Sequence, residues 1–129
     1  MTLYINTTLE NKLEVALYDQ KGQKSFFLSK EVNRDESEKL LKTIDEAVRS
    51  NGGKDVVKSI IVIKGPRGRF SAIRTGVVCA NALGFAWDIP VLGIRQGEND
   101  KIALQRISKF KNFTKPAMPV YEKEPNLGR

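Results

Sequence analysis

The segment 71–86 is predicted to form a helix with almost no polar face, and this feature restricts the fold more than any other. Its clearly polar residues are Arg74, Thr75 and Asn81. A helix that is apolar nearly all round has to be covered by protein on more than one side. A stripe of small residues along it leaves a groove that another backbone can approach closely. That stripe consists of Ala72, Gly76, Ala80 and Gly84.

Two arrangements satisfy such a helix. In the first, the whole helix is pressed against the protein's own sheet. In the second, the sheet covers one face and a helix from another chain covers the other. The residues alone leave both open.

The segments before this helix indicate strands and one amphipathic helix. Short strands are predicted at 3–5, 13–18 and 25–28, joined by tight turns into an antiparallel meander. Asp35 is a good N-cap, and Glu38 three residues later completes a capping box for a helix that ends at the glycines 52–53. The β-branched run 60–63 is typical of a strand buried on both faces.

The remaining segments complete an α/β domain. A last strand is predicted at 90–94, a third helix at 100–108, and an extended tail at 115–126 pinned by Val120 and Tyr121. The order β-β-β-α-β-α-β indicates a mixed five-stranded sheet, whose last two strands are joined by a right-handed helical crossover.

Composition excludes several functional classes. The chain of 129 residues can close one core and has no room for a second full domain. It has no His, which removes imidazole catalysis and His-containing metal sites. Its single cysteine, Cys79, cannot form an internal disulfide and is interpreted as a core residue, not a nucleophile. No carboxylates pair convincingly for acid–base catalysis, and no cofactor is predicted.

Neither a signal peptide nor a membrane-spanning run is recognisable, so a soluble, cytoplasmic protein without a membrane partner is expected. The net charge of +7 is unevenly distributed. It amounts to +5 over residues 54–74 and +4 over residues 95–129, and is slightly negative elsewhere. The basic character therefore lies in one central loop and the tail.

The central loop, residues 65–71, lies between a buried strand and the apolar helix. Its glycines leave backbone N–H groups free to point outward, and the helix N-terminus adds more, so an anion or RNA contact is predicted. Its residues are Gly65, Gly68, Arg67, Arg69 and Arg74. No Walker pattern follows, and a tight turn with solvated arginines is the structural alternative. The Gly-x-x-Gly spacing also resembles a KH loop, but a KH loop joins two helices.

Loop, helix and following strand together resemble the TsaB family, the bacterial subunit of the machinery that makes N6-threonylcarbamoyladenosine in tRNA. The matching segments are 61–66, 68–77, 84–85 and 89–93, where the family carries Gly-Pro-Gly-Ser-Phe-Thr-Gly-Leu-Arg-x-Gly, an alanine-rich helix and Gly-Ile-Pro-Val-x-Gly. Segments 3–8, 37–41 and 119–121 also resemble family patterns. The resemblance covers residues 1–94 and, loosely, the tail.

The resemblance implies a single actin-like (ribonuclease H-like) lobe over residues 1–94. Residues 95–129 are then a basic C-terminal helix and extended tail in place of most of a second lobe. Asn6 stands where catalytic relatives of this fold have an aspartate that helps hold metal and phosphate. The resemblance therefore implies no nucleotide chemistry of the chain's own.

The function implied is that of a non-catalytic scaffold. It would pair through apolar helices with a TsaD-like catalytic subunit, share a complex with a TsaE-like ATPase, contact tRNA indirectly, and form a homodimer when alone. The resemblance and the apolar helix together predict a mixture of core and interface positions at Leu41, Ile44, Val48, Gly76, Val77, Ala80, Leu83 and Gly84. An independent RNA-binding module that uses the basic loop and tail is the alternative, and a small nucleotide-binding enzyme is a third.

Overall fold

The strands and helices lie close to their predicted positions in the computed structural model, which describes residues 1–122. The strands are β1 (Thr2–Asn6), β2 (Lys12–Tyr18), β3 (Lys24–Glu31), β4 (Ser59–Ile63) and β5 (Val91–Ile94). The helices are α1 (Glu36–Arg49), α2 (Phe70–Trp87) and α3 (Asp100–Ile107), and a 3-10 turn spans Lys54–Val56. The predicted element order is confirmed.

The strands form one mixed sheet in the order β3-β2-β1-β4-β5. The first three strands are antiparallel neighbours, whereas β4 is parallel to both β1 and β5. In the register, Leu3 lies opposite both Leu17 and Ile60. Helix α2 is the crossover between the parallel strands β4 and β5. The structure thus confirms the mixed α/β sheet.

Helices cover both faces of this sheet. One face packs against α1 and α2 in a cluster that includes Leu3, Val15, Leu40, Val62 and Val77. The other face packs against α3 in a smaller cluster of Ile61, Ile63, Ile94, Ala103 and Ile107. Alternate residues of β4 therefore enter different cores, which explains why all five of its residues are buried.

The start of α1 differs in detail from the predicted capping box. Asp35 is the N-cap residue, but its side chain makes no capping hydrogen bond to the helix. Its carboxylate instead accepts a hydrogen bond from the backbone N–H of Asn33 at 2.8 Å. That bond, helped by the nearby Lys39, holds the pKa of Asp35 below its ordinary value. The helix start was predicted correctly, and its hydrogen bonding was not.

The chain after α3 runs back across the molecule as an extended strap, residues 112–121. The backbone N–H of Val120 donates to the carbonyl of Lys64 at 2.8 Å, and the ring of Tyr121 lies 4.4 Å from that of Phe70. The pinning predicted for Val120 and Tyr121 is confirmed, whereas 123–126 lie outside the described residues. The division into 1–94 and 95–129 stays a prediction. No helix within residues 1–122 is both long and apolar enough to cross a membrane.

Candidate protein–protein interface

The small-residue stripe of α2 faces the protein's own sheet. A methyl group added at Gly76 would overlap Thr7 Oγ1, and one added at Gly84 would overlap the side chain of Val91. Thr7 Oγ1 also donates to the carbonyl of Ala72 at 2.6 Å, which holds the loop after β1 in the groove. The stripe is therefore covered by the chain itself and is not open to a helix of another chain.

The predicted interface residues divide between core and surface. Most of them are buried within the chain, namely Ile44, Val48, Gly76, Val77, Ala80 and Gly84. Leu41 is 57% exposed, and Leu83 is partly buried. The buried positions hold the monomer together. A partner would therefore contact α1 and α2 through Leu41 and Leu83. That an interface forms there stays a prediction.

A shallow apolar groove runs along the exposed side of α1 and α2. Its volume is about 420 Å³, and its apolar lining consists of Leu41, Val78, Cys79, Ala82 and Leu83. Ser37, Arg74 and Thr75 complete it, so Arg74 is the one charged residue among the groove's described lining. Val78 is 56% exposed, a fraction close to that of Leu41. Two large apolar side chains exposed side by side on neighbouring helices favour association with another protein surface.

Cys79 lies at the bottom of this groove. Burial raises the pKa of its thiol to about 11. The thiolate is the nucleophilic form of cysteine, so at neutral pH this side chain is an inert, weakly polar packing residue. Its surroundings agree with the interpretation made from the sequence.

The glycine loop between β4 and α2 is held by hydrogen bonds within the chain. The backbone N–H of Arg67 donates to Gln96 Oε1 at 3.2 Å, and the amide nitrogen of Gln96 donates to the carbonyl of Arg67. Gly65 has a φ of +112° and lies so close to the Val120 carbonyl that no side chain would fit. Gly68, with a φ of +127°, lies against the backbone of Thr8. These contacts give both glycines a structural role.

The arginines of the predicted anion contact have different surroundings. Arg69 forms an ion pair with Glu36, whose side chain is only 10% exposed, and so connects the starts of α1 and α2. Arg67 and Arg74 are exposed, with no carboxylate within ion-pair distance among residues 1–122. An anion or RNA contact of this loop stays a prediction for those two side chains.

Asn6 lies at the end of β1, where the family resemblance places the aspartate of catalytic relatives. Its Oδ1 accepts hydrogen bonds from the backbone N–H of Thr8 at 2.9 Å and from Thr8 Oγ1 at 2.7 Å. The Asn6 side chain is buried. Its amide oxygen holds the turn after β1, which places Thr7 against α2. Within residues 1–122, no three His, Cys, Asp or Glu side chains are grouped so that they could hold a metal ion.

Several positions that shape this region were missed by reasoning from the sequence. Thr7 fills the groove of α2, Glu36 pairs with Arg69, and Gln96 holds the loop. The two members of each contact are distant along the chain, so no local pattern links them. Only the three-dimensional arrangement identifies them.

Comparison with known proteins agrees with this architecture. Residues 27–117, more than half of the chain, match the family described as "TsaD: tRNA N6-adenosine threonylcarbamoyltransferase". No curated protein matches the sequence.

Among solved structures, the fold is similar to YeaZ from Pseudomonas aeruginosa, with a TM-score of 0.64 and 24% identity over 73% of this chain and 43% of that one. It is equally similar to an uncharacterized protein with similarity to peptidase YeaZ from Pseudomonas aeruginosa, with a TM-score of 0.64 and 24% identity. That match covers 73% of this chain and 42% of the other. The chain therefore spans less than half the length of either protein. It belongs to the TsaD family, and its mixed α/β fold is similar to that of YeaZ.

Proposed function

We propose that this chain is a non-catalytic scaffold subunit of the tRNA N6-threonylcarbamoyladenosine machinery. It pairs through the exposed side of α1 and α2 with a TsaD-like catalytic subunit, and with a second copy of itself when alone. A TsaE-like ATPase joins the same complex, and the assembly works in the cytoplasm, where it meets tRNA. The family match and the apolar groove together support this proposal.

The observation that carries the pairing is the exposure of Leu41 and Val78, each more than half accessible to solvent. Fully burying a side chain of this size stabilises by about 1.5–3 kcal/mol. Ala82, also exposed, and the half-buried Leu83 line the same groove, and the small side chain of Ala82 would let another helix approach closely. Arg74 at the rim offers one polar anchor for a carboxylate of the partner.

The non-catalytic part rests on what the candidate groups are already bonded to. The oxygen of Asn6 is engaged by Thr8, and the Cys79 thiol is protonated at neutral pH because burial raises its pKa. Within the glycine loop, the backbone N–H of Arg67 is bonded to Gln96 Oε1. These three candidate groups therefore have structural contacts within the chain.

The test is the mass in solution of the chain with its TsaD-like partner and alone. Leu41→Arg and Val78→Arg place a charge in the groove and should weaken either complex at least about a hundredfold, because a buried unpaired charge costs several kcal/mol. The matched control is Ile102→Arg, since Ile102 is also 56% exposed but lies on α3, across the sheet. Unchanged masses for both groove variants, or neither complex with the unaltered chain, would contradict the proposal.

The alternative, an RNA-binding module centred on the glycine loop, is favoured by the exposure of Arg67 and Arg74. It is weakened by the ion pair of Arg69 and by the hydrogen bond that engages the backbone N–H of Arg67. Arg67→Gln with Arg74→Gln would lower RNA affinity in this case and leave the partner complex unchanged. The converse result would favour the scaffold.

A further inference from the structure

An open cleft of about 930 Å³ lies away from the α1–α2 groove, at the end of the sheet where β1 and β4 begin. The hairpin turn between β2 and β3 forms one side, and α3 with the residues after it forms the other. Ile89 and Ile107, both buried, form the floor. Nothing in the scaffold role described above uses this surface.

The cleft is strongly basic. Four lysines line it, each from a different segment of the chain: Lys21, Lys58, Lys101 and Lys111. All four are exposed, and none has a carboxylate within ion-pair distance in the part of the chain that the structure describes. The terminal ammonium of Met1 also lines it and donates to the carbonyl of Val56 at 2.7 Å. Burial, and to a smaller extent the nearby Lys58, lowers the pKa of that amino group.

The two carboxylates in the cleft form no ion pair with these lysines among residues 1–122, and both accept hydrogen bonds from neutral groups of the chain. Asp19 Oδ1 accepts hydrogen bonds from the backbone N–H groups of Lys21 and Gln23, both at 2.9 Å. Asp88 accepts from the Asn112 side chain at 2.8 Å and the Phe113 backbone N–H at 3.2 Å. The carboxylates shape the walls, and the lysines are left to an outside anion.

The ligand that suits this surface is an extended polyanion with flat, apolar groups. Cations from four separate segments around an open cleft match a run of phosphates better than a single small anion. Phe110, 54% exposed, lies in the same cleft and offers a ring on which a base can stack. Gln20, Gln105 and Ser108 add hydrogen-bonding groups between the charges.

We propose that this cleft binds RNA, with the lysines on consecutive phosphates and Phe110 stacked on an unpaired base. The choice of RNA over another polyanion rests on the proposed function in tRNA modification. The scaffold would then contact the tRNA directly, through a surface separate from the one that holds its protein partner.

The first test measures binding of the full chain to an unmodified tRNA transcript and to a single-stranded RNA oligonucleotide at several salt concentrations. The variant replaces Lys21, Lys101 and Lys111 with Gln. The control replaces Lys12, Lys42 and Lys54, which are exposed and outside the cleft, and so has the same net charge. Each lost phosphate contact should reduce the salt slope on single-stranded RNA by about 0.7, so the cleft variant loses about 2 and binds at least about tenfold more weakly.

The second variant, Phe110→Ala, separates stacking from charge. Its affinity for single-stranded RNA should fall about fivefold or more with an unchanged salt slope, and its binding to heparin, a polyanion without bases, should not change. Circular dichroism of every variant checks that the fold is retained.

Three results would overturn the inference: equal binding by the cleft and control variants, no detectable RNA binding by the unaltered chain, or equal loss of heparin and RNA binding in Phe110→Ala. Leu41→Arg distinguishes this failure from that of the proposed function. If that variant loses its protein partner but still binds RNA through the lysines, both proposals stand. If cleft-dependent RNA binding persists while no protein complex ever forms, only the scaffold role fails.

Discussion

The two faces of α2 are similar in composition but differ in what covers them. The inward face carries Gly76, Ala80 and Gly84, all of them buried, with Gly76 against Thr7 just after β1 and Gly84 against Val91 of β5. The outward face carries Val78 and Ala82, both exposed beside Leu41 of α1. One face therefore holds the domain together, and the other is available to a partner.

The comparison shows that hydrophobicity alone does not identify an interface. The glycines look like a site for a foreign helix, yet Thr7 and Val91 already fill the space above them. Val78 is larger than these glycines and does not belong to the small-residue stripe, yet it is exposed. Residue size indicates how closely something approaches a helix, but not whether that neighbour belongs to the same chain.

The largest effect that tests this contrast is expected for Gly76→Leu. The new side chain would overlap Thr7 and displace the loop after β1, so we expect a loss of about 3 kcal/mol in the free energy of unfolding. Ala82→Leu on the outward face is the control and should change it by less than about 0.5 kcal/mol. Chemical denaturation of both variants gives the comparison. A stable Gly76→Leu monomer with impaired association would show instead that the stripe meets a partner.

Much of the fold could be predicted from the sequence because it follows from local patterns. The alternation in 13–18, the helical spacing after Asp35 and the continuous apolar run 60–63 each fix one element by its period. Together they give the order of elements, and the handedness rule for parallel strands gives the crossover. The structure confirms these elements, with ends shifted by a few residues.

Much less of the candidate interface could be predicted, because it depends on contacts distant along the chain. Leu41 was among the predicted interface residues and is exposed. Val77 and Ala80 were predicted with it, but both are buried. Val78 was missed because every position of an all-round apolar helix looks alike. Which face of α2 remains open depends on the strand order and on the strap after α3. Neither can be predicted from the spacing of apolar residues along the sequence.

Cys79, at the border between the two faces of α2, should react slowly. Burial raises its pKa from 9.0 to about 11, so at pH 8 the folded chain should have about a hundredfold less thiolate than the unfolded chain, and react with a disulfide reagent correspondingly more slowly. Reaction rates of native and denatured chain with such a reagent, from pH 7 to 11, measure this. Equal rates at pH 8 would contradict it.

The same pKa shift has a consequence for stability. The folded state favours the protonated thiol, so this contribution is fully present below the unfolded pKa of about 9 and is lost as the pH rises towards 11. Cys79→Ala should therefore have a flatter stability profile over that interval. A profile identical to that of the unaltered chain would show that the thiol is better solvated than its burial indicates.

Asn81 lies on the side of α2 that contacts the strap, and its replacement should have the next largest effect on stability. Its amide donates to the carbonyl of Ala117 at 3.0 Å and accepts from that residue's N–H at 2.8 Å. Because each such bond contributes about 1 kcal/mol, Asn81→Ala should cost about 2 kcal/mol and speed hydrogen exchange at 117–120. Asn112→Ala, which removes an exposed bond to Asp88, is the milder control. If hydrogen exchange in the strap does not change, the two hydrogen bonds between Asn81 and Ala117 do not hold the strap against α2.

Arg69 tests whether the start of α2 is fixed to α1 or is open to an anion. Its ion pair leaves Glu36 almost without solvent, whereas the arginine side chain is 43% exposed, so water would partly replace it. We expect Arg69→Met to cost about 1 kcal/mol, more than Arg49→Met, whose partner Asp45 is well exposed and whose loss should cost a few tenths, about 0.3 kcal/mol. Denaturation of Arg69→Met, Glu36→Gln and the double variant gives the coupling energy between the two residues. A coupling energy near zero, together with weaker RNA binding by Arg69→Met, would mean that Arg69 contacts an anion. The ion pair would then not fix the start of α2 to α1.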